Sequence, residues 1–398
     1  MNHIQDLPGA VVLGGDFASL EVTRNLAAHG IRVCVIDKAG YVARFSRSVD
    51  QFLKLPKELK PDDLPDYLIE IAEKHHIRGW VLFALNDDHV RILSQHAPRL
   101  AEYYLLTTPP WETYKLFYDK RLTYTLAREA NIAIPDTHVP GNADQLAALN
   151  IGFPVVLKPA IASRFIWIAK KKAYRANNLQ ELQRYYEEMS RIIDPSEVIV
   201  QALLPDPSRN LFSFGGYFKE GEPIAALSAK RTRQYPIEFG WTSSFVEVVE
   251  LPELRALACQ LLRSTNYTGL AEVEFMWNEE RERFELLEVN ARLWAWHGLA
   301  IAAGLDVPYT AFAYAIGQAP APGVVRYGMK WIKFVADMRA ATQVIRSGKL
   351  SVRQYLSSLR GPKTFSIFSL SDPAPFIMLM FMRVLERLKK PIGKLSSP

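Results

Sequence analysis

Two acidic strings, Glu272-Val273-Glu274 and Glu288-Val289-Asn290-Ala291-Arg292, each lie inside an apolar run of this 398-residue chain. Side chains on a strand alternate between faces. Glu272 and Glu274 therefore share one face, with Val273 and Phe275 opposed; Glu288, Asn290 and Arg292 share another, with Leu287 and Val289 opposed. The charged stretch 278–283 between the strings reads as a hairpin turn. Folded symmetrically about Arg281, it sets Glu274 across from Glu288 and Glu272 across from Asn290. Directly opposed carboxylates repel and raise each other's pKa. Such a face is tolerated when a cation lies between them. Magnesium suits it, since it takes hard oxygen ligands from a few carboxylates and from substrate phosphates. Asn290 adds a neutral oxygen and Arg292 a planar fork for phosphate or carboxylate. The plainer reading is a solvated edge hairpin with Glu and Arg simply paired, and a one-residue slip in register would spoil the metal arrangement.

Cations stand elsewhere in the chain. Lys158 ends the apolar run FPVVLK, and a lysine emerging from a buried strand is costly unless it meets an anion. Lys120 opens a helical pattern after Asp119, where a surface position is the ordinary expectation. Lys230-Arg231-Thr232-Arg233 closes a strand and enters the loop 234–244. Guanidiniums there would neutralise a phosphoryl group in transfer; a basic surface loop is the alternative. Candidate substrate residues are Asn86 and Asp87, at the carboxyl end of a strand where open α/β sheets place ligands, then Trp241 and Thr242, and Trp296 in the string WAWHG. His297 in that string is a candidate general base, or a packed and satisfied histidine.

Several elements must position these residues. Residues 10–15, 18–29 and 31–37 read as strand, helix and strand, and 64–75 and 80–85 as a further helix and strand, which makes a parallel α/β sheet. GGDFAS lacks the GxGxxG spacing of a dinucleotide site. Beyond Asp119 the pattern gives helices at 120–129, 142–149 and 178–191, and strands at 153–158, 198–204 and, less regularly, 166–169. Hairpins follow at 212–229 and 270–289, with a helix at 254–264 between them. The last segment reads as helices at 331–347, 352–359 and 375–388.

Composition sets bounds. With 49% apolar and 23% charged residues the chain is globular and not disordered, and its length implies two or three domains. The net charge of +6 is scattered, so it favours small anions over a nucleic-acid stripe. Cys34 and Cys259 sit in apolar patterns and read as buried hydrophobes, not a disulfide or zinc site. The N-terminus has no signal-peptide pattern, and no apolar run approaches the roughly 18 residues of a membrane span. The helix at 375–388 is apolar (PFIMLMFM) and then basic, with Arg383, Arg387, Lys389, Lys390 and Lys394. Docking on the protein's own core is expected, and a membrane surface is the alternative.

The run from Asp119-Lys120 through PVVLKP, VIVQALLP, SAKRTRQYP, GLAEVEF and LLEVNAR resembles the ATP-grasp superfamily, nearest to its predicted carboxylate–amine ligases of the D-aspartate ligase-like branch. The resemblance spans nearly the whole chain, including the LGG pattern at the start and SDPAPF near the end. It implies an α/β fold of the α+β grasp type: a Rossmann-like pre-grasp domain (1–112), a first grasp lobe (113–203), a catalytic lobe with the metal site (204–320) and a helical C-terminal extension (321–398). It implies ATP and Mg2+ as cofactors, with Mn2+ as a substitute. Lys120, Lys158 and Lys230 would serve the nucleotide, and Val200, Gln201, Ala202 and Leu203 would form the adenine hinge. Glu274, Glu288 and Asn290 would carry magnesium, and Arg231 and Arg292 would face the transferring phosphate. A carboxylate would be activated as an acyl-phosphate and captured by an amine. A kinase or carboxylase of the same fold, or an ATP-binding scaffold of surface-polymer assembly at the membrane, are the competing readings. A cytoplasmic location, with or without contact to the inner membrane face, and a homodimer are default expectations. Three features depart from the usual pattern. Ala202 stands where an acidic residue usually follows the hinge glutamine. The segment after Lys158 is glycine-poor (PAIASRFIW). Asn-Ala-Arg replaces Asn-Pro-Arg.

Overall fold

The computed structural model describes residues 7–38, 42–240 and 242–389. Its first layer is a parallel sheet of β1 (Ala10–Leu13), β2 (Val33–Asp37), β3 (Gln51–Lys54), β4 (Trp80–Ala84) and β5 (Tyr104–Leu106), in the order β3-β2-β1-β4-β5. β1, β2 and β4 are apolar on both faces because helices cover both. Asp16 caps the Phe17–Ala28 helix by accepting the Ala18 and Ser19 amides. A helix not foreseen from the sequence, Asp87–Gln95, starts directly after β4 with Asn86 as its cap. It carries Asp87 to the carboxyl end of the sheet.

Two helices, Trp111–Tyr118 and Lys120–Glu129, lead out of this layer, and Asp119 between them caps the second. Next comes an antiparallel sheet of β6 (Thr137–His138), β7 (Val155–Pro159), β8 (Tyr174–Ala176) and β9 (Val198–Ala202), in the order β6-β9-β7-β8. The Leu179–Ser190 helix packs on it and builds a separate small core with Val155, Leu157, Phe165, Tyr186 and Val200. Two expectations are corrected here. Residues 162–169 form one helix rather than a loop and a strand, because Phe165 anchors that turn in the small core. The segment near 142–149 makes 3-10 turns at Ala143–Ala148 rather than an α-helix.

The third layer is a seven-stranded sheet: β10 (Leu211–Lys219), β11 (Glu222–Tyr235), β12 (Thr242–Val249), β13 (Gly269–Asn278), β14 (Arg283–Asn290), β15 (Lys330–Ile332) and β16 (Lys363–Phe365). Its order is β14-β13-β10-β11-β12-β15-β16. The C-terminal segment was expected to be helical, yet it supplies the last two strands. Three-residue strands are too short to show alternation, and Trp331, buried on β15, reads equally well as the start of a helix. The helices Phe334–Arg346 and Val352–Ser358 do form. Arg233 locks the first of them to the sheet through Asp337, at 2.7 and 3.0 Å.

SDPAPF anchors the final helix, Ala374–Lys389. Asp372 accepts from Arg24 Nε (2.9 Å) and Ser46 Oγ (2.6 Å) on the first domain. Leu379 packs against the core, while Ile377, Phe381 and Val384 stay exposed at 62, 56 and 51%. The expected docking therefore accounts for one face of the helix. Of its basic residues, Lys390 and Lys394 lie outside the described residues.

The acidic hairpin has the register that alternation demanded. Glu272 faces Asn290 and Glu274 faces Glu288. The turn itself is centred half a residue earlier than Arg281, since Asn278 pairs with Arg283 and Phe275 with Leu286. A bulge at Leu287 absorbs the difference and restores the predicted pairing at the acids.

Candidate active site

The four-stranded and seven-stranded sheets face each other across a cleft of about 1750 Å³. One wall is β11, β13 and β14, whose polar faces meet there. Glu274 is ion-paired with Arg231 Nη1, and Glu272 Oε1 lies 3.8 Å from the same nitrogen. Arg231 Nε donates to Ser243 Oγ at 2.6 Å, which fixes the guanidinium. Glu288 pairs with Lys120 Nζ at 3.2 Å. Asn290 Nδ2 donates to Glu272 Oε2 (3.2 Å) and Glu274 Oε1 (2.9 Å), and its Oδ1 accepts from Arg292 Nη2 at 3.1 Å. Arg292 also grips Asp87 of the first domain through two bonds of 2.7 and 3.0 Å.

Lys158 enters from β7. Its ammonium donates to Tyr124 Oη (2.7 Å) and Gln201 Oε1 (2.8 Å), while Gln201 Nε2 donates to Thr137 Oγ1 at 2.7 Å. No carboxylate offsets its charge directly, so burial, with Lys120 adding to it, pushes its pKa down to about 7. Burial and the neighbouring Glu274 push Glu272 up to about 8, and burial also raises Glu274. Burial works to raise Glu288 too, but Lys120, Lys172 and Lys158 outweigh it and hold that carboxyl well below the usual range.

Most of the residues singled out from the sequence converge on this cleft: Lys120, Lys158, Gln201, Ala202, Leu203, Arg231, Thr242, Glu274, Glu288, Asn290, Arg292, Asp87 and Trp296 all line it. Others do not. Val200 points into the core of the small sheet, as alternation beside Gln201 requires. Lys230 points away beside Arg231, with its ammonium 5.4 Å from the Phe212 ring centre. Asn86 is occupied as a helix cap, its Oδ1 accepting the His89 amide. Trp241 lies outside the described residues.

His297 is fully buried away from the cleft wall, with Nδ1 2.8 Å from the Trp294 carbonyl. Burial pushes its pKa down to about 4. The tight turn after Arg292 rotates the ring toward the interior, so this geometry offers it no substrate to deprotonate. Sequence reasoning missed Lys172. It lies deep in the cleft, donates to Gly240 O at 2.9 Å, and its charge acts on Glu288 and Glu274. In the sequence it is the last of three consecutive lysines, 170–172, which look like a solvated surface run. The segment after Lys158 is also a helix, Ala162–Ala169, rather than an open glycine-rich loop. Its helix presents Ala162, Ser163 and Ile166 to the cleft and leaves Trp167 75% exposed.

Among the described residues, no three His, Cys, Asp or Glu side chains already gather around one point as ligands. Each acid instead holds a side-chain cation. The donor set nevertheless fits a hard divalent ion: Glu274 and Glu288 oppose each other, Asn290 is adjacent, and Glu272 Oε1 is buried without a hydrogen-bond partner. The cations now on the acids, Arg231 and Lys120, are of the kind that phosphate oxygens attract.

Comparisons with known proteins bear on the whole arrangement. Residues 234–320 match the family model "Carbamoyl-phosphate synthase L chain, ATP binding domain". The chain is similar to a D-aspartate ligase of Enterococcus faecium (strain Aus0004), 24% identical over 307 residues that cover 71% of this chain and 70% of the ligase. Among solved structures, it resembles the biotin carboxylase domain of the Hydrogenobacter thermophilus 2-oxoglutarate carboxylase in complex with MgADP, ADP and bicarbonate (TM-score 0.65, 14% identity, 82% of this chain and 74% of that one). An L-amino acid ligase from Bacillus licheniformis shares the fold at a TM-score of 0.58 and 13% identity, over 77% of this chain and 74% of the ligase.

Proposed function

We propose, for a chain that belongs to the ATP-grasp superfamily, an ATP-dependent ligase activity that joins a carboxylate to an amine through an acyl-phosphate. One observation carries this reading. Glu274 and Glu288 oppose each other across the β13–β14 hairpin, and each is paired with a cation suited to phosphate. Opposed acids with removable counter-cations form a site for a magnesium–nucleotide complex.

In the reaction proposed, a carboxylate oxygen of the substrate attacks the γ-phosphorus of ATP. The bond to the bridging oxygen breaks and ADP leaves with its electron pair. An amine nitrogen then attacks the acyl carbon. The C–O bond to phosphate breaks, orthophosphate leaves with the pair, and the nitrogen's surplus proton is released. Lys120, Lys158 and Lys172 would bind the phosphates, and Gln201 to Leu203 would line the base. Arg231 and Arg292 would neutralise the phosphoryl group as charge develops. Magnesium held by Glu274, Glu288 and Asn290 would supply charge neutralisation at the phosphate oxygens. The protein's part is positioning and electrostatics, which is most of what phosphoryl transfer requires. The D-aspartate ligase and L-amino acid ligase similarities support an amino acid among the substrates.

The test is ADP release with ATP, Mg2+ and pooled D- and L-amino acids, for the wild type and Glu288→Gln. Turnover that depends on particular amino acids and is lost in the variant supports the ligase. ATP consumption without amine dependence points to a kinase or carboxylase instead.

A second reading concerns location. No helix among the described residues is long and apolar enough to cross a membrane. The exposed stripe Ile377, Phe381 and Val384, followed by basic residues, supports peripheral contact with an anionic membrane surface. We place the ATP-dependent reaction on the cytoplasmic side of it.

A further inference from the structure

Arg292 links two parts of the cleft that do different things. Its Nη2 reaches Asn290 on the acid-bearing strand at 3.1 Å, while Nε and Nη2 together hold Asp87 at 2.7 and 3.0 Å. Asp87 belongs to the first domain, and its side chain is 40% exposed in the cleft. Its only other side-chain partner shown is the Tyr114 hydroxyl, a long donor at 3.4 Å from Oδ1. Unlike the β13–β14 acids it faces no carboxylate across a hairpin, although the charges of Lys120 and Glu288 both reach it. Two further cleft acids, Asp136 and Glu238, are tied to Arg281 and Arg175.

We infer that Asp87 recognises the ammonium group of the amine substrate, so that the second substrate is a positively charged primary amine such as the α-amino group of an amino acid. This rests on the ligase reading above. The ion pair with Arg292 is a resting arrangement. Once an anionic acyl-phosphate forms beside Asn290, Arg292 is drawn toward it and Asp87 loses its partner. A partly buried carboxylate without a counter-ion is costly, so it attracts a cation. The amine is thereby recruited next to the activated acyl group after it forms; the bound ammonium loses one proton to solvent before its nitrogen attacks and the second as the amide forms. A carboxylate-bearing end of either substrate would be repelled from Asp87.

Hydroxylamine separates this role from the chemistry before it. It is uncharged near neutral pH and captures an acyl-phosphate as a hydroxamate without needing an anionic partner. With pooled amino acids as acyl donors, hydroxamate and amide formation are measured for the wild type, Asp87→Asn and Asp87→Glu. The expected result is a hydroxamate-to-amide ratio at least about 10-fold higher in Asp87→Asn, the scale of a lost charged hydrogen bond. Asp87→Glu should restore the ratio in part. A ratio unchanged in Asp87→Asn, or both products falling together, overturns the assignment, because a merely structural residue moves both. MgADP binding checks that each variant is folded, and Asp87→Glu carries the test if Asp87→Asn fails it. Hydroxamate absent from the wild type would instead overturn the ligase reading, and this inference with it.

Discussion

If Lys158 holds a nucleotide phosphate as proposed, nucleotide binding depends on pH in one direction. Its partners, Tyr124 Oη and Gln201 Oε1, are neutral, and burial together with Lys120 pushes its pKa down to about 7. A bound nucleotide phosphate would favour the ammonium form and raise that pKa, so binding takes up a proton. The sign follows: affinity is full where the free enzyme is already protonated and falls as pH rises through about 7. Roughly nine in ten free molecules carry the proton at about pH 6 and one in ten at about pH 8, so MgADP affinity should weaken by about 10-fold across that interval. Calorimetry near neutral pH, in buffers of different ionisation enthalpy, should show uptake of about half a proton per nucleotide. Lys158→Arg keeps a cation whose charge does not titrate in this range. It should bind MgADP with most of the pH dependence and the proton uptake gone. If the variant keeps the full pH dependence, the proton belongs to another group and the assignment to Lys158 is refuted. If the wild type shows no uptake, Lys158 stays charged across this range and the reasoning is refuted.

Two other perturbations probe the scaffold. Glu21 is buried between layers, accepting from Trp331 Nε1 at 2.6 Å and Gly298 N at 3.2 Å, and burial raises its pKa from 4.5 to about 8. The folded state therefore retains a proton that the unfolded chain has lost, and this contribution to stability is full below pH 4.5 and disappears as pH rises through about 8. Glu21→Gln should be less stable than wild type at acid pH and gain on it by up to about 1.4 kcal/mol per pH unit; parallel urea midpoints across the range would refute this. For the final helix, flotation with anionic vesicles should carry the full chain but not a chain ending at Asp372, and recovery independent of vesicle charge would count against the membrane reading.

The acidic hairpin was legible because strand alternation is a strict period. Two strings and one turn sufficed to pair Glu274 with Glu288, and the bulge at Leu287 absorbed the error in the turn centre without moving the acids. Lys158 was legible for a related reason, since a lysine at the end of VVL must meet something polar. Lys172 was not, because what buries it is the approach of Gly240 from a loop far along the chain, and no local pattern records that. His297 shows the opposite failure. It is close in sequence to Arg292, but the turn through Trp294 sends the ring inward. β15 and β16 escaped detection because they are defined by pairing with β12 and with each other rather than by their own residues.

The placement of charge in the cleft also argues for an order of events. Arg231 and Lys120 neutralise Glu274 and Glu288, and Arg292 neutralises Asp87, so every one of these acids is partnered before any substrate arrives. A bare metal ion would have to displace a cation from each acid and leave it unpaired, and a bare nucleotide would draw the cations away and leave the acids unpaired. Both exchanges strand buried charge, which costs several kcal/mol per group. Metal and nucleotide arriving together would exchange partners as a set, with Lys120 and Arg231 available to phosphate and Glu274 and Glu288 to the ion. Binding of ADP should therefore be weak without Mg2+, and Mg2+ alone should bind more weakly still. On the proposed reading, the Arg292–Asp87 pair would take no part in that first exchange and would be left for the second substrate. The cleft as proposed would thus run two ion-pair exchanges in series, the first answering to the nucleotide and the second to the amine.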